Sequence, residues 1–256
     1  MDNAELIGKY EAASPVTELK FRGTAVKYTT PSRTSYWRLT TFETKEPETV
    51  KWIDGFERGD VFVDVGANMG LYSLFAAVHS GARVFSFEPE SQNYALLNTN
   101  IRLNNAATSV TAWCCALANT RSVDRLYMTD LTAAGSCHAF GAEVDESLSP
   151  VKAAFAQGCL GYSLDELVIS EAVPMPTHIK IDVDGFEHLV VRGAIDTFAN
   201  PKLKSVLIEI NPHINEHAEL VCEMESLGFK TDVGQVERSR RKEGGFKDYG
   251  EYIFWR

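Results

Sequence analysis

FVDVGANMGLYSLFAA, residues 62–77, decides the fold. Its opening, with Val61, is apolar and β-branched apart from Asp64, as expected of a strand buried on both faces. Its closing residues carry apolar side chains at helical spacing, and Gly66 and Gly70 punctuate the change between the two periods. A strand that runs through a glycine turn into a helix is the first half of a parallel crossover unit. The same alternation continues outward. RVFSFEP (83–89), SVTAWCCAL (109–117), THIKIDVDG (177–185) and KSVLIEINP (ending at Pro212) read as further buried strands, with FKTDVG and YIFWR after them. GLYSLFAAVHS, SQNYALLNTNIRLN, FEHLVVRGAIDTF and EHAELVCEMESLG read as the helices between. The expected class is α/β: a doubly wound, mostly parallel sheet in three layers.

Two stretches break the alternation. Residues 1–58 hold polar-aromatic pieces, LKFRGTAVKYTT and SYWRLTTFE, that alternate as an antiparallel hairpin would. Residues 118–162 are rich in Ala, Ser and Gly with weak periodicity and read as an inserted hairpin plus a mobile loop. The expected organisation is an N-terminal cap over 1–58 and one domain over 59–256 that carries the 118–162 insert. Ligands of open α/β sheets sit at the carboxyl ends of the strands, so both extra pieces are placed to act as lids.

Composition narrows the function. The chain has 256 residues, 45% of them hydrophobic, enough for one large domain. Thirty-five acidic against 25 basic residues give a net charge of −10 and a pI near 5.1, so a phosphate backbone is a poor partner and no nucleic acid is expected. No run is long and apolar enough for a membrane span, and MDNAELIGKYEAASP lacks the basic start and apolar block of a signal peptide. A soluble, cytoplasmic protein is expected. Cys114, Cys115, Cys137, Cys159 and Cys222 form no C-x-x-C pair, so neither a disulfide framework nor a zinc knuckle is indicated.

The turn also carries the chemistry. Asp64, Gly66, Asn68 and Gly70 end the first strand, and Glu88 ends the second, 24 residues after Asp64. Strand, glycine turn, helix, then an acid at the next strand's end describe a nucleotide site whose acid grips a ribose diol. The G-x-G-x-x-G spacing of a dinucleotide site is missing, and Asp64 would repel a pyrophosphate. A sulfonium suits it instead: opposite charges about 4 Å apart gain on the order of 4 kcal/mol at an effective dielectric near 20, before desolvation. S-adenosylmethionine (SAM) is therefore preferred to NAD.

FVDVGANMGLYSLFAA, VFSFEPESQNYALLNTNIRLNN, SLDEL and HIKIDVDGFEHLVVRGA resemble, in order and spacing, the FkbM family of SAM-dependent methyltransferases over about residues 60–211. The resemblance implies a class I, Rossmann-like fold with a seven-stranded sheet and one antiparallel strand. It implies methyl transfer to a hydroxyl, usually of a sugar or secondary metabolite. Carried over, it places Asp64, Gly66, Asn68 and Gly70 around the methionine part of SAM, Glu88 on the ribose, and Ala116 with Leu117 near the adenine; Met69 and Tyr72 would line the same pocket. Asp182 falls where class I methyltransferases commonly place a group touching both SAM and acceptor.

Three further groups bear on catalysis. On a strand Lys180, Asp182 and Asp184 share a face, and three charges there need a reason. Lys180 could orient or deprotonate an acceptor hydroxyl if burial lowers its pKa. The structural alternative pairs it with Asp182 or Glu209, and Asp184-x-x-Glu187 also fits a helix capping box, as does Ser163-x-x-Glu166. Glu209, Asn211 and His213 close the fifth strand. With Asp182 they offer ligands for Mg²⁺, but ion pairing and a turn account for them, and no metal is expected. The catalytic candidates are Lys180, Asp182 and His213. Gly135-Ser-Cys-His138 reads as a hinge over the acceptor, and Arg238, Arg240, Arg241 and Lys242 as a solvated connection before the last strand. The expected function is SAM-dependent O-methylation of a small molecule, a saccharide or glycoconjugate. The alternatives are an NAD-dependent oxidoreductase and a catalytically silent methyltransferase-like binding module. Oligomeric state is not legible.

Overall fold

The computed structural model describes residues 2–13 and 15–256. Seven strands form the central sheet: β1 (Val61–Val65), β2 (Arg83–Phe87), β3 (Val110–Trp113), β4 (His178–Ile181), β5 (Ser205–Ile210), β6 (Lys230–Thr231) and β7 (Gly250–Trp255). Their order is β6-β7-β5-β4-β1-β2-β3. β1 pairs in parallel with β2 and β4, β2 with β3, and β4 with β5, whereas β7 runs antiparallel to both β5 and β6. The sheet is thus mixed, with β7 reversed. The chain winds from β1 out to β3 and returns to start β4 beside β1, so the switch in strand order, and the crevice above it, lies at the β1 and β4 ends.

Alternation along the strands divides the core into two layers. Phe62, Val84 and Leu207 pack with Tyr28, Trp52, Phe75 and Leu97 on one face, while Val63, Val65, Ile179, Ile181, Val206 and Ile208 pack with Val190, Phe198 and Phe229 on the other. Asp64 and Lys180 are opposite one another in the β1–β4 register, and both are buried. Two charged groups thereby lie side by side beneath the crevice.

Four readings of the sequence change. LKFRGTAVKYTT does form a hairpin, Val16–Phe21 against Thr24–Thr29, but SYWRLTTFE is helical. A reciprocal box between Ser32 and Ser35 starts the helix Arg33–Thr40, and a local cap outweighs the aromatic alternation that suggested a strand. SVTAWCCAL is two strands: β3 ends at Trp113, and Ala116–Leu117 leaves to pair with Phe155–Tyr162. FEHLVVRGAIDTF breaks into Glu187–Arg192 and Ile195–Ala199, because the chain passes Ala118 closely enough that a Cβ on Gly193 would lie 2.1 Å from its carbonyl oxygen. The insert does contain an antiparallel hairpin, Ser122–Met128 with His138–Phe140, but more is built onto it. Ser122–Met128, His138–Phe140, Phe155–Tyr162 and Ala116–Leu117 make a second, four-stranded sheet. Among the described residues, no helix is long and apolar enough to cross a membrane.

Candidate active site

The start of the glycine turn is held against β2 by backbone hydrogen bonds. Gly66 and Ala67 donate to the Phe87 carbonyl, each at 3.0 Å. Gly66 adopts φ +79°, and a Cβ there would stand 1.9 Å from the Asp182 carbonyl oxygen, so only glycine lets the β1 turn meet the end of β4. Asn68 follows at φ +51° with its N–H donating to Glu88 Oε2 at 2.7 Å, and Glu90 N–H donates to Glu88 Oε1 at 2.8 Å. Burial pushes the Glu88 carboxyl up to about 8 despite those two amides.

Above the turn opens a cavity of about 350 Å³, within the range of small-molecule sites. Gly66, Asn68, Glu88, Ala116, Leu117 and Asp182 line it, as do Asp184 and Glu209. Trp37, Arg38 and Lys45 reach it from the N-terminal segment, His138 and Phe140 from the insert, and Arg241 and Phe246 from the connection before β7.

The loop over this cavity is anchored from every side. Asn68 Nδ2 and Asn93 Nδ2 donate to the Gly135 carbonyl at 2.6 and 3.1 Å, and Arg38 Nε to that of Ala134 at 2.9 Å. Asp184 Oδ2 accepts from Cys137 N–H at 2.8 Å and His138 N–H at 3.3 Å. Asp184 is therefore no helix cap: it has φ +54° and faces the insert, while Glu187 reaches back to the Val183 and Gly185 amides. Burial, reinforced by Asp182, raises the Asp184 carboxyl to about 7. Ser163 caps its helix by accepting from Glu166 N–H, but the box is not closed, because the Glu166 carboxylate pairs with Arg121.

Several sequence candidates lie beneath the cavity wall instead of on it. Asp64 is buried and accepts from Ser73 Oγ at 2.5 Å, Met69 is fully buried in the core, and Gly70 packs on Leu97. Tyr72 donates to Glu46 Oε2 at 2.7 Å. Lys180 is 2% exposed, with Nζ donating to Asp182 Oδ2 at 2.7 Å and standing 5.3 Å from the centre of the Tyr72 ring. The condition for a basic lysine fails. Burial does disfavour its charge, but the carboxylates of Asp182, Asp64 and Glu46 outweigh it and raise the ammonium above its ordinary value. The pairing alternative is the one realised, with Asp182 and not Glu209. His213 stands apart, its side chain 65% exposed and 3.7 Å from Asp248, and it does not line the cavity.

The basic run before β7 is not a uniform solvated connection. Arg238 meets Glu48 and Arg240 meets the Tyr252 hydroxyl, but Arg241 turns inward. Its Nη2 lies 2.5 Å from Glu209 Oε1, 3.1 Å from Glu251 Oε1 and 3.8 Å from Glu46 Oε1. Nothing in the run RSRRK distinguishes Arg241 from its neighbours. Glu46, whose other partners are Lys45 at 2.6 Å and the Tyr72 hydroxyl, is not marked by the sequence either, since a lone acid before a proline carries no pattern. Asp182, Glu187 and Glu209 place carboxylate oxygens within 4.8 Å of one another. Each is already engaged, by Lys180, by His217 Nε2 at 3.0 Å, and by Arg241 respectively, while Asn211 turns to the Tyr249 hydroxyl.

Residues 64–231 match the family described as the methyltransferase FkbM domain. The chain belongs to this family. The family is methyltransferase, its cofactor is SAM, and the NAD alternative is set aside. The hexuronic acid methyltransferase AglP of Haloferax volcanii is 27% identical over 193 residues, 75% of this chain and 73% of that protein. The 31-O-demethyl-FK506 methyltransferase FkbM of Streptomyces tacrolimicus is 27% identical over 67% of this chain and 73% of its own length. Among solved structures, M. jannaschii TYW2 in complex with AdoMet aligns with a TM-score of 0.45 and 14% identity, over 94% of this chain and 86% of that one. The side chains present fit the cofactor's chemistry: acids (Glu88, Asp182, Asp184) for a diol and a cation, and Phe87, Leu117 and Phe140 as apolar surface for a base.

Proposed function

We propose that the protein transfers the methyl group of SAM to a hydroxyl of a small molecule, a saccharide or glycoconjugate. The observation that carries this reading is the cavity at the β1–β4 switch, where the glycine turn and Glu88 share one wall with Asp182. In it Gly66 and Asn68 hold the methionine part, Glu88 the ribose diol, and Ala116 the adenine edge, while Asp182, between donor and acceptor, faces both. The cofactor supplies an electrophilic methyl on sulfur, and this chain's task is to align an acceptor oxygen with it and keep bulk water out. Alignment alone can contribute about 7–11 kcal/mol. The N-terminal segment (1–58) and the insert (118–162) act as the cap and lid of the 59–256 domain. The names of the two relatives, one a hexuronic acid and one an O-demethyl substrate, support an oxygen acceptor.

Incubation of the purified protein with SAM and a panel of methyl glycosides, neutral, amino and uronic, tests this by mass spectrometry. A product heavier by one methylene together with S-adenosylhomocysteine is expected. Tight SAM binding with no transfer to any glycoside would favour the silent binding module.

A further inference from the structure

We propose that Glu209 is the group that takes the proton of the acceptor hydroxyl, held in place by Arg241. The inference rests on the methyl-transfer reading and names a residue that reading leaves open. Lys180 cannot serve, because it is charged, buried and outside the cavity. Of the carboxylates on the cavity wall, Glu88 faces the ribose, Asp184 Oδ2 anchors the insert through the Cys137 and His138 amides, and Asp182 Oδ2 is bound to Lys180, which against burial holds that carboxyl below its ordinary value and makes it the weaker base. Glu209 gives Oε1 to Arg241 and, among the described residues, has no hydrogen-bond donor at Oε2, which is not sealed from solvent. It ends β5, one strand from Asp182, with carboxylate oxygens of the two within 4.8 Å.

The charge around it favours proton uptake. Glu46, Asp64, Asp182, Glu209 and Glu251 form one network with Lys45, Lys180 and Arg241, buried but for the partly exposed Asp182, Lys45 and Arg241, leaving acids in excess. Burial and the neighbouring Asp182, Glu251 and Glu187 charges raise the Glu209 carboxyl, with Arg241 opposing. In the step itself, the acceptor oxygen's electron pair forms the new C–O bond and the C–S bond breaks with its pair left on sulfur. The hydroxyl proton passes to the Glu209 carboxylate and then to water.

An acceptor is not needed for the test. A positive ligand beside this network should discharge a proton held on Glu209, and an uncharged thioether should not. Calorimetry in buffers of different ionisation enthalpy, with SAM and with S-adenosylhomocysteine, reads the difference. SAM is expected to release more protons on binding than S-adenosylhomocysteine does. Glu209→Gln should abolish that difference while S-adenosylhomocysteine still binds, which separates its carboxyl from the ligand's own amino group. Glu209→Asp, which keeps the carboxyl should the glutamine variant not fold, should retain it. Equal proton counts for the two ligands in the parent, a difference that survives Glu209→Gln, or its loss in Glu209→Asp would overturn the proposal with cofactor binding intact. Failure of the parent to bind SAM would instead bring down the reading beneath it.

Discussion

Lys180→Met removes the cation on which two buried carboxylates, Asp64 and Glu46, and the partly exposed Asp182 depend. Nζ is 2.7 Å from Asp182 Oδ2, and the charges of Asp64 and Glu46 also act on it. Methionine fills most of the volume and keeps the contact with Tyr72 but leaves those acids uncompensated. Removing one partner of a buried pair typically costs about 3–5 kcal/mol. A chain of this size shifts its Tm by roughly 2–4 °C per kcal/mol, so the variant should melt roughly 6–20 °C below the parent at pH 7. The gap should depend on pH in a definite direction. Against burial, Lys180 holds the Asp182 carboxyl below its ordinary value. Its contribution is thus complete above the unfolded-state pKa and lost as pH falls through the folded one, so the two melting curves should converge in acid, below about pH 4. Differential scanning calorimetry from pH 3.5 to 8 measures this, with S-adenosylhomocysteine titrated in parallel to confirm that the folded fraction still binds. A variant that is inactive yet melts within about 2 °C of the parent at pH 7 would refute the argument and return Lys180 to the role of base.

Three other outcomes follow from the same geometry. Gly66→Ala must place a Cβ 1.9 Å from the Asp182 carbonyl oxygen at φ +79°; backbone strain of about 1–2 kcal/mol plus overpacking of about 1–3 should appear in urea unfolding, with SAM affinity lost in the folded fraction. Glu88 is raised by burial to about 8, so the folded protein holds its proton more tightly than the unfolded chain does and loses stability as pH climbs from 5 to 8. Glu88→Gln, whose side-chain NH2 cannot accept from one of the two amides, should start below the parent at pH 5 and gain on it as pH climbs to 8, and should bind SAM at least tenfold more weakly, the weight of a lost hydrogen bond of about 1.5 kcal/mol; a difference flat with pH would contradict the burial argument. Asp184→Ala strips the acceptor from the Cys137 and His138 amides. Their hydrogen exchange should speed up while β1 and β4 amides keep theirs, and uniform acceleration would show that the loop is not separately anchored.

The strand–turn–helix beginning at Phe62, the sheet class and the glycine turn with Glu88 were legible in the sequence because each depends on local rules: alternation on a strand, φ > 0 at Gly66, an acid at a strand end. The site's other half was not. Arg241 and Glu46 are nearly two hundred residues apart and meet only because β7 pairs antiparallel with β5 and the N-terminal helices pack beside it. Lys180 shows the division most plainly. Its type and its face on β4 follow from sequence, but whether burial lowers its pKa or surrounding acids raise it depends on Asp64 across the β1 register and Glu46 from outside the sheet. Periodicity says which side of a strand a charge occupies; the sign of its pKa shift is a sum over neighbours that only the folded chain assembles, and at distances of a few ångströms that sum outweighs anything the strand itself contributes.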